Sequence, residues 1–70
     1  MKKANTTQVD LAIRKLNIQI KEMSEQAAGL VSRGFPEIAS TLVPSITALT
    51  TQVGLLNHER SEIIRRTFYR

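Results

Sequence analysis

Two interlocking seven-residue repeats constrain this chain more than any other feature. In the first half, Val9, Ile13, Leu16, Ile20, Met23, Ala27 and Leu30 recur at alternating steps of four and three. In the second half, Ala39, Leu42, Ile46, Leu49, Val53, Leu56, Arg60 and Ile63 keep the same rhythm. Such spacing returns side chains to one stripe of an α-helix and is more regular than a loose apolar face needs. If the chain folds back between the repeats, antiparallel partners must have position numbers with a constant sum. Leu30 with Ala39, Ala27 with Leu42, Met23 with Ile46, Ile20 with Leu49, Leu16 with Val53, Ile13 with Leu56 and Val9 with Arg60 all add to 69. Nothing about a single amphipathic helix requires that agreement. The pattern predicts an all-α antiparallel two-helix hairpin with arms of roughly 40 Å.

The punctuation agrees. Thr7 followed by Asp10 resembles a capping box and starts a first helix over 7–33, after a short basic arm at 1–6. Gly34 can take the positive φ that ends a helix, and Pro36 suits the first turn of a second helix over 36–67. Pro44 conflicts with that second helix, because it removes the hydrogen bond to the Ser40 carbonyl and typically costs ~3 kcal/mol in a helix interior. The helix must kink or split near it, and the Ser40 and Thr41 hydroxyls, able to satisfy freed carbonyls, favour the kink. Gly29 and Gly54 are weak points in their helices, or places where another helix comes close.

Between Glu37 and His58 the chain carries no charge at all. The run is long enough to cross a bilayer, but its Ser, Thr, Gln, Asn and Pro content argues against burial in lipid, so no membrane span is expected. A helix wet on one side normally carries charge there, which implies that protein covers this one on more than one side. A chain of 70 residues cannot do that alone. With no Cys, neither a disulfide framework nor a thiolate metal site can compensate. After the repeats are paired, Leu11, Ile18, Val31, Ile38, Val43, Leu55 and Ile64 have no partner within the chain. They are the candidate interface of a homo-oligomer, a dimer forming a four-helix bundle or a higher assembly. The hydroxyls of Ser40, Thr41, Ser45, Thr47, Thr50 and Thr51 could bond to their own helix and so tolerate burial.

The formal net charge is +4, and a fold-back gathers Lys2, Lys3, Arg14, Lys15, Arg60, Arg65, Arg66 and Arg70 at the end holding both termini. That cluster is a candidate anion or nucleic-acid site, with Phe68 and Tyr69 able to stack on a base. The plain alternative is a solvated helix end, with Arg60 paired to Asp10 across the hairpin. Candidate catalytic chemistry is sparse. His58 and Glu62 stand four apart on one helix face, but two ligands are too few for a protein zinc site. No phosphate-binding glycine loop, metal-ligand spacing or flanking acid pair is present in the sequence, so neither a cofactor nor enzymatic activity is expected. The start of the chain lacks the apolar core and cleavage site of a signal peptide, which makes cytoplasmic residence the expectation. These features suggest a non-enzymatic homo-oligomeric interaction protein that regulates or inhibits a protein partner. Two alternatives are a nucleic-acid-binding hairpin that uses the basic end, and a binder of a small anionic ligand such as a nucleotide between subunits.

Overall fold

The computed structural model describes residues 4–69, and they form helices joined by short turns. Helix α1 runs from Thr7 to Ser32, α2 from Pro36 to Ser40, and α3 from Val43 to Phe68. The first arm is α1; α2 and α3 together make the second, which packs back along it. An Arg60–Asp10 hydrogen bond joins the arms 50 residues apart in sequence. The result is a rod of 56 × 16 × 12 Å with a radius of gyration of 16.6 Å. A compact chain of this length would have a radius near ~11 Å. One helix lies against one other, a single layer thick.

The corner is built as the glycine predicts. Gly34 has φ of 88°, a left-handed conformation that side-chain-bearing residues avoid. It lets the Phe35 amide donate to the Leu30 carbonyl at 2.8 Å and the Gly34 amide to the Val31 carbonyl at 3.0 Å. Those two bonds are a Schellman motif, and they satisfy carbonyls that the end of α1 would otherwise leave unpaired. Pro36 then opens α2, where a missing amide hydrogen costs nothing.

The start of α1 differs from the sequence expectation. The cap residue is Thr6, one position earlier than the predicted Thr7, and its side chain makes no capping hydrogen bond to the backbone. Its hydroxyl donates instead to the Asp10 carboxylate at 2.8 Å. Asp10 does lie in the first turn, where the helix dipole favours a negative charge.

Pro44 bends the second arm by breaking its helix at Thr41 and Leu42, so the outcome is a split with retained handedness. Both turn residues keep right-handed helical dihedrals. Their amides donate three residues back, Thr41 to Ile38 at 3.1 Å and Leu42 to Ala39 at 3.0 Å. That is the tighter 3₁₀ spacing. The Ser40 and Thr41 hydroxyls do bond to carbonyls, those of Glu37 at 2.7 Å and Ile38 at 2.6 Å. They do not reach the Ser40 carbonyl that Pro44 orphans.

Every apolar residue of both repeats is half-buried, apart from Ala39, which is buried at 5% exposure. No other described residue is buried. The stripe predicted by the repeats is therefore the part of the chain most removed from solvent, and every apolar member of it except Ala39 stays partly exposed. Nothing lies within 4 Å of where a Cβ would stand on Gly29 or Gly54, so neither glycine serves a close approach inside the chain.

Candidate functional site

The molecule offers two ends of different character and the exterior of its second arm. At the terminal end, α1 contributes Arg14 and Lys15, and α3 contributes Arg60, Arg65 and Arg66, all exposed. Lys2, Lys3 and Arg70 lie outside the described residues. Three of these five cations are engaged by acids. Arg60 Nε donates to Asp10 Oδ1 at 2.8 Å, Arg65 Nη2 to Glu62 Oε2 at 2.6 Å, and Arg66 Nη2 to Glu59 Oε1 at 3.1 Å. Arg14 and Lys15 have no such pair among the described residues.

These pairs tune the carboxylates beside them. The Thr6 hydroxyl, followed by the Arg60 guanidinium, holds the Asp10 carboxyl below its ordinary range despite some desolvation. Arg65 does the same for Glu62, and Glu62 in turn raises Arg65. The end therefore carries fewer unengaged charges than its composition suggests. Arg60 pairs with Asp10 as the rung beside Val9 predicts. The Arg66–Glu59 pair spans two helical turns, and the sequence analysis overlooked it because neighbours in that pattern are usually sought three or four residues apart.

Phe68 and Tyr69 are exposed beside these arginines, at 51% and 76%. His58 is exposed, and the carboxylate of Glu62 four residues on is occupied by Arg65. No group of three or more metal-ligating side chains occurs among the described residues.

The corner end is more apolar. Phe35, Pro36, Glu37 and Ile38 line a shallow depression of about 350 Å³ with Gly34. A second of about 340 Å³ lies across α1 between Glu25, Gln26, Gly29, Leu30 and Arg33. Neither gathers convergent polar groups around a reactive side chain.

Six of the seven residues predicted to lack a partner are exposed: Leu11, Ile18, Val31, Ile38, Val43 and Leu55, between 44% and 66%. Ile64 differs, being half-buried at the edge of the seam, next to Ile63 of the repeat. The six do not form one stripe. Leu11 and Ile18 are seven apart on the side of α1 facing away from the seam, whereas Val31, Ile38 and Val43 cluster towards the corner.

Along α3 the Thr50 hydroxyl donates to the Ile46 carbonyl at 2.8 Å and that of Thr51 to Thr47 at 3.0 Å. Those side chains need no outside partner. An eighteen-residue window of Pro36–Phe68 reaches a mean hydropathy of 1.2 with no more than two charges, so by length and composition alone this arm could span a membrane. The expectation that its hydroxyls and amides make it too polar is not met on that measure. The break at Thr41 and Leu42 nevertheless limits the uncharged part of α3 to residues 43–57, ~22 Å of helix against a hydrocarbon core of ~30 Å.

Compared with known proteins, the chain matches no family model, no curated protein and no solved structure.

Proposed function

We propose that this protein is a small non-enzymatic, homo-oligomeric helical module that acts by binding another protein as a regulator or inhibitor. One observation carries the oligomeric part. A compact folded chain of 7.9 kDa exposes about 4,400 Å², and this one exposes 5576 Å², roughly a quarter more. The surplus is comparable to the ~800 Å² that each partner contributes to a stable interface. Assembly of copies removes that surplus and covers the partly exposed stripe. The exposed, uncharged exterior of the second arm supports the same reading, because its threonines are already satisfied and its uncharged α3 segment is short for a bilayer.

Binding of nucleic acid or a nucleotide by the basic end ranks second. Phosphate contacts by Arg60, Arg65 and Arg66 would have to displace Asp10, Glu62 and Glu59, which leaves Arg14 and Lys15 as the described cations there without an acid partner. Native mass spectrometry of the full chain at micromolar concentration tests the first reading. A homo-oligomer is the expected species, and a monomer as the only species overturns it. Retention on immobilised single-stranded or duplex nucleic acid that weakens steeply as salt rises would favour the second.

A further inference from the structure

The geometry points to one flank of the hairpin as the surface on which a second copy docks, head to tail, to complete a four-helix bundle. This deepens the homo-oligomer reading and rests on it. In each arm the residue after every second member of the repeat projects to one flank, and the residue before the next member to the other. Because the arms run in opposite directions, equivalent positions of α1 and α3 come to the same side.

The first flank carries Val31 and Val43, each 55% exposed, and the half-buried Ile64. Between them stand only hydroxyls and amides, such as Ser24, Asn57 and Thr50, the last already bonded to the Ile46 carbonyl. Its one charge, Asp10, is held by the Thr6 hydroxyl and Arg60, both at 2.8 Å. The opposite flank carries one exposed apolar residue, Ile38, beside Arg33, Glu59 and Arg66 with Gln19, Gln26 and Gln52, all exposed, and includes the Arg66–Glu59 ion pair.

Covering the first flank desolvates one charge that is already paired, Asp10, whereas covering the opposite flank desolvates three, among them Arg33. The first flank adds Val31, Val43 and Ile64 to the apolar stripes of the two helices and sets uncharged polar side chains between them, a surface that a neighbouring helix can cover. The occupant is a second copy because the surplus surface matches one side of a dimer, and because an identical flank supplies the same uncharged surface. Charge sets the direction. Among the described residues the terminal end gathers five of the seven Lys and Arg side chains, Arg14, Lys15, Arg60, Arg65 and Arg66, against Asp10, Glu59 and Glu62. A parallel dimer would set two such ends side by side, whereas a head-to-tail dimer places each beside the nearly neutral corner end of the other copy.

Sedimentation equilibrium of the full chain and three variants, with helicity followed over the same concentrations, tests this. The wild type should be a dimer. Thr50→Arg, which places a charge on the dry flank, should weaken association by more than about tenfold. Thr50→Val, which removes only a self-satisfied hydroxyl, should leave it unchanged or tighter. Gln52→Arg, on the wet flank, should leave it unchanged. A monomeric wild type overturns the homo-oligomer reading itself. A dimer indifferent to Thr50→Arg, or broken by Gln52→Arg, overturns only the flank. Because the chain has no Cys, a spin label on Ser32→Cys reports direction, with a separation near ~40 Å for head-to-tail packing and under ~20 Å for parallel packing, the latter contradicting the assigned direction.

Discussion

The first arm turns Arg14, Lys15, Lys21, Glu22 and Glu25 to solvent, whereas the exposed residues of the second arm between Ile38 and Asn57 carry no charge at all. Both arms give the seam the same kind of stripe, half-buried along its apolar length. The difference is therefore not something the hairpin needs. A helix whose only task is to cover its neighbour can be charged outside, as α1 is. An exterior of Val43, Ala48, Leu55 and threonines bonded to their own carbonyls fits a helix that is covered again, and the single layer of this rod provides no cover.

The most severe way to break the comparison is to charge the shared seam. Ile20 and Leu49 share one predicted rung and are both half-buried, so Ile20→Asp and Leu49→Asp should each abolish most helical circular dichroism. Equal damage would show that the arms depend on each other despite their unlike exteriors; tolerance of either would show that they do not interlock. The corner comes next. Gly34→Ala puts a side chain at φ of 88° and should cost about 1–2 kcal/mol in chemical unfolding without altering either arm.

A smaller effect sharpens the contrast between exteriors. Gly29 lies in the charged arm and Gly54 in the uncharged one, and neither has a neighbour near its would-be Cβ. Gly29→Ala and Gly54→Ala should each stabilise the protein by about 0.5–1 kcal/mol through helix propensity. A gain for Gly29→Ala with a loss for Gly54→Ala would place another helix tightly against the second arm at that point.

The smallest effect concerns pH. The folded Asp10 and Glu62 carboxyls titrate below their unfolded values, so their contribution is present above the ordinary carboxylate pKa and is lost as pH falls through the lowered folded values. Both are solvated, so the midpoint of thermal unfolding should fall only slightly in that acidic window. Asp10→Asn should remove the Asp10 part of that fall.

The hairpin was legible because two independent repeats had to agree on one sum, and the corner because Gly34 and Pro36 each have few other uses. Pro44 announced an interruption but not its form. The second arm bends there through two backbone bonds of three-residue span at Thr41 and Leu42, while the Ser40 and Thr41 hydroxyls take the carbonyls of Glu37 and Ile38. At the start of α1 the Thr6 hydroxyl bonds to the Asp10 carboxylate rather than to the backbone, a choice between side chains that the spacing of Thr and Asp does not reveal. The basic end was legible as a tally of charges, but its pairing was not. Glu59 and Glu62 hold Arg66 and Arg65 through side-chain reach along one helix, which a rung-by-rung alignment of two helices does not address. Ile64 was counted as unpartnered because the repeat assigns each position wholly in or out, whereas a residue at the edge of a stripe is partly both.

The central claim is that this hairpin depends on further copies of itself for its stability. Thermal unfolding followed by circular dichroism over roughly a hundredfold range of protein concentration tests it most directly, because only a protein that unfolds from an assembly has a concentration-dependent midpoint. The account predicts a midpoint that climbs steadily with concentration. A sharp transition at one temperature throughout that range would contradict it.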